Sequence, residues 1–194
     1  MSKLESQTAA QVEHLPAQAV LRPSLPTFGE VFDAYAGYVL SLLRRLGVRE
    51  ADLEDVAQEV FVVVHAQLPA FEGRSTLKTW ICGIGLRKAS DYRRRAYQRR
   101  ERLVGEGLPE QSSPAEQEHY LERDRRAAGL QAALAALPDK QREVFVLYEI
   151  EELSMIEVAR AVGCPRFTAY TRLAAARRAL RKHFDRVGRQ EQRR

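Results

Sequence analysis

Apolar side chains recur at intervals of three and four residues along most of the chain after Phe28, a spacing typical of amphipathic α-helices. The first such segment ends at Leu46, where Gly47 supplies a helix stop. The run Phe61–Val64 has strand propensity, but helical spacing continues on both sides of it. No clear alternating strand is found. The sequence therefore predicts an all-α fold.

Breaks in this pattern divide the predicted helices into two small domains joined by a flexible linker. In the first domain, helices begin near Phe28, Glu50 and Leu77. The second domain opens at Ser113-Pro114, where a cap precedes a first-turn proline, and continues with a helix at 140–150. We predict a mobile leader at 1–26, a first domain at 27–102, a linker at 103–113, a second domain at 114–187 and a basic tail at 188–194.

The charge is distributed unevenly. The 194 residues carry a net charge of +5, yet residues 87–102 alone carry +6 and residues 166–194 carry +8, so the remainder is acidic. Two basic segments in an acidic body favour a polyanion bound at two places. Two solvated helix faces are the alternative interpretation. An apolar fraction of 45% supports a folded core.

The two cysteines, Cys82 and Cys164, lie far apart and form no CxxC pair. Neither a disulfide framework nor a zinc site is indicated. Each cysteine is most simply a small buried residue, and a redox role is the alternative. No signal peptide or membrane-spanning apolar run is present. We therefore expect a cytoplasmic protein that needs no cofactor or metal and does not insert into membranes.

The second predicted helix is strongly acidic, with five acids and no base between residues 50 and 60. The face predicted to point outward carries Asp55, Gln58, Glu59 and Val62, with Phe61 beside it. Carboxylates around an amide suit a basic groove or coiled coil on a protein partner. A solvated acidic face is the alternative. Metal or acid–base chemistry is disfavoured because no histidine or cysteine joins these residues in sequence.

The third predicted helix combines an aromatic residue with many bases. Trp80 lies among Lys78, Arg87, Lys88 and Arg94, a combination expected for single-stranded or distorted DNA. Trp80 also shares an apolar stripe with the third helix's core residues, so a purely structural role stays open. Glycines at 83 and 85 cost about 1 kcal/mol each relative to alanine and predict a locally soft helix.

Residues 154–182 fit a helix-turn-helix. A capping box at Ser154–Glu157 begins its first helix, Gly163 provides the turn, and the last helix runs from Pro165 to about Phe184. This helix is predicted to bury Ala169, Leu173, Ala176 and Leu180. Arg166, Phe167, Tyr170 and Thr171 would then face base edges. The bases that could reach phosphates are Arg172, Arg177, Arg178, Arg181 and Lys182. A plain helical hairpin with a basic outer face is the alternative.

Taken in order, these motifs resemble the extracytoplasmic-function (ECF) group of bacterial RNA polymerase sigma factors, of the sigma-70 family. Residues 52–61 (DLEDVAQEVF) resemble the family's polymerase-binding helix. Residues 71–80 (FEGRSTLKTW) and 84–95 resemble its promoter-melting and minus-ten segment, and 136–144 and 153–180 resemble its minus-thirty-five domain. The resemblance covers roughly residues 24–185.

The resemblance implies an alternative sigma factor that binds core RNA polymerase and directs promoter-specific transcription initiation. Such a protein is a monomer, is no enzyme itself, and is controlled by an anti-sigma factor. The residues that would dock on the clamp helices of the largest polymerase subunit are Asp55, Gln58, Glu59 and Phe61. Those implied for minus-ten DNA are Phe71, Gly73, Arg74, Ser75, Thr79, Trp80, Arg87, Lys88 and Arg94. Those implied for minus-thirty-five DNA are Arg166, Phe167, Tyr170, Thr171, Arg172 and Arg177.

The chain departs from the family pattern in both DNA-binding segments. Arg87 stands where the family usually has asparagine, and two glycines precede it. Phe167 replaces a customary glycine, while Tyr170 and Ala175 occupy positions that often carry bases. The departures leave the minus-ten preference open and predict either an unusual upstream sequence or a weak upstream contact.

Two other classes of function remain as alternatives. A stand-alone helix-turn-helix repressor or activator would bind a duplex operator tightly without polymerase, usually as a dimer. A nucleic-acid enzyme would need a metal or nucleophile constellation, which the sequence does not reveal.

Overall fold

The computed structural model describes residues 25–103 and 123–191, and every regular element in those two ranges is helical, as predicted. The predicted leader, linker and Ser113-Pro114 helix start lie almost entirely outside the described residues. Short 3₁₀ turns flank the second helix, and a π-helical turn at Val146–Ile150 follows the fifth. The helices are α1 (Phe28–Arg45), α2 (Leu53–Gln67), α3 (Leu77–Leu103), α4 (Arg123–Ala135), α5 (Asp139–Phe145), α6 (Met155–Ala161) and α7 (Arg166–Glu191).

Local sequence signals explain where several helices begin. The capping box predicted at Ser154 is present, since Ser154 Oγ accepts a hydrogen bond from the Glu157 N–H (3.4 Å). The Glu157 carboxylate in turn accepts from the Ser154 N–H (2.9 Å). Thr27 and Glu30 form the same motif at the start of α1.

Two predicted boundaries differ from the structure. Helix α7 runs through Gly188 to Glu191, beyond the end predicted near Phe184 and into the segment predicted as a basic tail. The arginine-rich sequence around Gly188 favours helix strongly enough to offset the cost of one glycine. The helix predicted at 140–150 changes to π-helical geometry at Val146.

The N-terminal unit consists of α1, α2 and α3 packed around one core. Its centre contains Val39, Leu42, Val60 and Ile81, each fully buried. Gly85 lies where α3 approaches α1, and an added Cβ would lie 3.0 Å from Leu42 Cδ2. Close packing therefore explains this glycine inside the helix.

The C-terminal unit consists of α4 to α7, and α7 packs most extensively on α5 and α6. The four residues predicted to form the buried face of α7 are all buried, which confirms that assignment. Two of them, Ala169 and Ala176, are small enough for α5 to pack closely against α7. Fixing α7 in this way directs its opposite face outward.

The two units contact each other through buried charged groups. Glu151 follows the π-helical turn, and its side chain is only 2% exposed. Its carboxylate pairs with Arg45 of α1 (3.2 Å) and Lys78 of α3 (3.3 Å). Nearby, Arg93 of α3 pairs with the buried Glu143 of α5. Because each bridge joins one unit to the other, these ion pairs hold the described parts of the chain together.

The end of α1 completes this contact. Gly47 has a φ of +91°, which confirms the predicted glycine stop and explains the residue type. A Cβ at Gly47 would also lie 2.1 Å from a guanidinium nitrogen of Arg142. Arg142 is buried and donates to the carbonyls of Leu134 (2.8 Å) and Leu137 (2.9 Å). Burial lowers the pKa of Arg142.

Candidate polymerase and promoter-DNA interfaces

The acidic face of α2 is divided between outward-facing and internally bonded side chains. Asp55 and Gln58 are exposed, as predicted. The Glu59 carboxylate instead accepts hydrogen bonds from Arg95 (3.0 Å) and Lys88 (3.2 Å) of α3. Partial burial opposes ionisation, but these two bonds prevail and lower the pKa of Glu59. Glu59 therefore joins α2 to α3 besides carrying charge on the surface.

Phe61 lies inside the N-terminal unit and not on its outer face. It is 6% exposed, and its ring centroid lies 4.8 Å from that of Phe32 and 6.4 Å from that of Phe28. The prediction that Phe61 lies on the surface beside the exposed acids was wrong, because its side chain is buried. Its i+4 relation to Ala57 turns it toward α1, where aromatic packing buries it.

An apolar groove of about 600 Å³ runs between α1 and α2. Phe28, Phe32 and Phe61 line it, and Gln58 and Val62 form part of its α2 side. Val62 and Phe32 are both exposed at the surface. The sequence did not predict this groove, although Val62, predicted on the exposed face opposite the buried stripe, was a signal for it. The groove places an apolar surface directly beside Gln58, and the exposed Asp55 lies one turn before Gln58 on α2.

The loop before α3 is organised by hydrogen bonds around Thr76. Thr76 Oγ1 accepts from the Thr79 N–H (3.1 Å), and the two hydroxyls lie 2.8 Å apart. Gly73 has a φ of +69° with open space around it, as a loop tip requires. Arg74 is exposed and pairs with Glu72 (3.0 Å). Thr79 is therefore held by Thr76, while Gly73 and Arg74 project at the tip.

Phe71 and Trp80 form an aromatic pair at the base of this loop. Their ring centroids lie 5.1 Å apart with an interplanar angle of 47°. Trp80 is half-buried and also packs against the core. The structural role considered for Trp80 is therefore present, and part of its indole remains accessible.

The bases of α3 differ in how far they are available to a ligand. Lys88 pairs with Glu59, so its amino group faces α2. Arg94 is exposed and pairs only with Asp91, one turn away (3.0 Å), among the described residues. Arg87 is exposed and donates to the Gly83 carbonyl of its own helix (3.2 Å). Arg87 and Arg94 are consequently the more accessible cations of this predicted site.

The helix-turn-helix presents the start of α7 to solvent. Gly163, with a φ of +64°, allows the turn between α6 and α7. Phe167 and Tyr170 are large apolar residues left exposed at 79% and 55%. Arg166 and Thr171 are exposed beside them, and Arg172 is half-buried. The structure therefore brings five of the six predicted upstream residues to one end of α7.

Arg177 lies further along α7 and is engaged within its own unit. Its guanidinium pairs with Glu149 (2.5 Å) and lies over the Tyr148 ring, 5.9 Å from the centroid. It remains half-exposed. This arrangement fixes α7 against the π-helical turn and leaves only part of the guanidinium for a phosphate.

The thiol of Cys82 is buried, as predicted, and burial raises its pKa to about 11. Cys164 is half-buried. Within residues 25–103 and 123–191, no group of three or more His, Cys, Asp or Glu side chains is arranged to hold a metal ion. None of the helices described is long and apolar enough to cross a membrane.

Two family models match the chain in the positions of the two units. Sigma-70 region 2 matches residues 31–100, and Sigma-70 region 4 matches residues 128–180. The RNA polymerase sigma factor YlaC of Bacillus subtilis (strain 168) is 33% identical over 164 residues, covering 82% of this chain and 94% of YlaC. The ECF RNA polymerase sigma factor SigW of the same organism is 30% identical over 168 residues, covering 81% and 88%. The chain belongs to the ECF sigma factors.

Solved structures agree with this assignment. A sigma factor RpoE from Bartonella quintana, in complex with the anti-sigma factor NepR, shares the fold with a TM-score of 0.67 at 21% identity. That match covers 81% of this chain and 96% of RpoE. CnrH, in complex with the cytosolic domain of CnrY, gives a TM-score of 0.57 at 25% identity, covering 81% and 87%. As an ECF sigma factor, the protein directs promoter-specific transcription initiation by RNA polymerase.

Proposed function

We propose that this sigma factor binds core polymerase through α2, contacts minus-ten DNA through the loop at 71–76 and α3, and contacts minus-thirty-five DNA through the start of α7. The polymerase performs the chemistry, and the sigma factor acts as a monomer in the cytoplasm. The observation that carries the proposal is the exposed pair Asp55 and Gln58, one turn apart on α2, with Gln58 at the rim of an open apolar groove.

The polymerase surface combines charge with apolar contact. Asp55 supplies a carboxylate for a basic partner, and Gln58 supplies an amide at the rim of the groove. The exposed Val62 adds apolar area next to both. A basic amphipathic helix, such as those of a polymerase clamp, has the chemistry to match this surface. Glu59 supports the surface from behind through its bonds to α3.

The minus-ten surface consists of the aromatic pair, the loop tip and the exposed cations of α3. An unstacked base can lie against an aromatic side chain. Phe71 and Trp80 form such an aromatic surface next to Gly73 and Arg74. Arg87 and Arg94 provide positive charge for the strand's phosphates. Lys88 acts mainly by holding α3 against α2.

The minus-thirty-five surface is the exposed start of α7, which a helix-turn-helix places in the major groove. The N-terminal and C-terminal DNA surfaces each bind weakly, and their combination requires both promoter elements within reach. An anti-sigma factor is the proposed regulator. RpoE bound to NepR shares this fold, which supports a partner of that class.

The test compares two charge reversals of equal size. Asp55→Lys should abolish association with purified core polymerase in gel filtration, because it places a cation against a basic partner surface. Asp33→Lys changes an exposed acid on α1, outside the proposed α2 surface, and should retain association. Circular dichroism checks that both variants fold.

Promoter-specific transcription in vitro supplies the second readout. Wild type and Asp33→Lys should initiate at the same start sites, whereas Asp55→Lys should not initiate. Full association of Asp55→Lys with core polymerase would exclude the proposed surface. Tight, polymerase-independent binding of wild type to a duplex operator would instead favour the stand-alone regulator.

A further inference from the structure

The start of α7 presents an apolar face where a base-reading face is expected. Phe167, Tyr170 and Thr171 are spaced i, i+3 and i+4, so they lie together on one side of the helix. All three are exposed, and Phe167 is the most exposed large apolar residue in the described chain at 79%. The buried face of α7 lies opposite, against α5 and α6.

This face offers few hydrogen-bond donors to a base edge. The Thr171 hydroxyl donates its hydrogen to the Thr168 carbonyl (2.9 Å). The Thr171 methyl group remains available for an apolar contact. Phe167 has no polar group, and Tyr170 has one hydroxyl at the end of its ring. The bidentate readers of guanine and adenine are Arg or Lys and Asn or Gln, and the three positions contain none of them.

Apolar side chains in the major groove can read one base feature directly. Thymine carries a C5-methyl group there, and Phe and threonine methyl groups are among its known contacts. We propose that Phe167 and Tyr170 select thymines in the upstream promoter element by contacting their C5-methyl groups. This inference rests on the proposed function, because it requires α7 to enter the major groove.

Two arginines flank the aromatic pair along α7. Arg166 lies one turn before Tyr170 and can reach a base edge or a phosphate. Arg172 can contact a phosphate, which positions the helix but does not read sequence. Arg177 is partly occupied by Glu149. The aromatic rings therefore supply the apolar readout at this end of α7.

The experiment removes the methyl group without changing any hydrogen-bonding group. The upstream element is first identified by selecting promoter variants with the holoenzyme in transcription assays. Each thymine in it is then replaced by deoxyuridine, and holoenzyme affinity for the promoter is measured. We expect at least one position at which affinity falls about fourfold, the factor for one buried methyl-sized group.

Variants then assign the methyl contact to side chains. Phe167→Ala or Tyr170→Ala should abolish the difference between thymine and deoxyuridine at the contacted position, since no ring remains to touch the methyl group. Tyr170→Phe keeps the ring and should preserve the difference. Because both residues are exposed, these variants should keep the thermal stability of wild type.

Two outcomes would overturn the inference. One is equal affinity for thymine and deoxyuridine at every upstream position. The other is a fall in affinity with Phe167→Ala that is identical on thymine and deoxyuridine promoters, which would indicate a contact that does not involve the methyl group. Failure of the proposed function is separate, since it would show as absent transcription by wild type on the unmodified template.

Discussion

Helices α3 and α7 are both long and rich in bases, but they use positive charge differently. On α3, Lys78, Lys88, Arg93 and Arg95 pair with carboxylates of other helices or of the C-terminal unit. On α7, Arg177 is the one base with an ion pair among the residues described here. Much of the charge on α3 therefore stabilises the fold, whereas most of that on α7 faces solvent.

A segment rich in bases can therefore have two different roles, which are to stabilise the fold and to bind DNA. A base whose partner is a buried carboxylate cannot contact a phosphate without leaving that carboxylate unpaired, which costs free energy. A base on an exposed helix face can contact DNA at little such cost. Substitutions on α3 should thus affect folding first, and substitutions on α7 should affect DNA binding first.

The largest expected effect comes from Glu143, whose nearly buried carboxylate pairs with Arg93 across the two units. Glu143→Gln should lower the free energy of unfolding by about 2–3 kcal/mol, because Arg93 would lose its main counter-charge in a buried setting. Asp139, 3.1 Å from Arg93, limits the loss. Urea denaturation of the whole protein measures this change in the free energy of unfolding.

The matched control is Glu149→Gln in the same unit. Glu149 pairs with Arg177 at the surface, so its loss should cost at most about 1 kcal/mol. Small-angle scattering should also show expansion for Glu143→Gln and none for Glu149→Gln. Equal destabilisation by both changes would contradict the distinction between buried and surface pairs.

Glu59 gives the next largest effect, and the effect depends on pH. Its pKa is lower in the folded protein than its usual value of 4.5, so its stabilisation is complete above that pH. The contribution is lost as the pH falls below 4.5 through the folded pKa, because protonation removes the attraction to Arg95 and Lys88. Glu59→Gln should therefore cost about 1 kcal/mol at pH 7 and less at pH 4.

Asp55→Asn is the control for that measurement, since Asp55 has no ion pair among the described residues. Denaturation curves at both pH values should show wild-type stability for Asp55→Asn. A cost for Glu59→Gln that does not change between the two pH values would mean that packing, not charge, is responsible.

The sequence predicted the fold well because periodicity and caps are local signals. The buried face of α7, the Ser154 capping box and the Gly47 stop all depend on residues within a few positions of each other. The prediction ended α7 near Phe184, although the helix formers after it continue the helix to Glu191. The groove was missed because it depends on how α1 and α2 pack, which brings Phe28 and Phe32 against Phe61.

The candidate site was less predictable, because residue type does not reveal a distant partner. Lys88 and Arg94 look alike in sequence, yet one pairs with Glu59 and the other faces solvent. Glu151 showed no signal at all, since its partners Arg45 and Lys78 lie far away in the chain. Only the tertiary structure distinguishes a base that binds DNA from a base that holds two units together.

The smallest expected effects come from neutralising one exposed base on each of the two helices. These substitutions test the comparison between α3 and α7 most directly. Arg181→Gln on α7 should lower the slope of log affinity against log salt by about 1, because one phosphate contact is lost. Its melting temperature should not change. Arg95→Gln on α3 should keep the slope and lose a few tenths of a kcal/mol of stability, since its partner is Glu59. A reduced slope for Arg95→Gln would show that Arg95 leaves Glu59 for DNA in the promoter complex, and the two helices would then differ only before DNA binds.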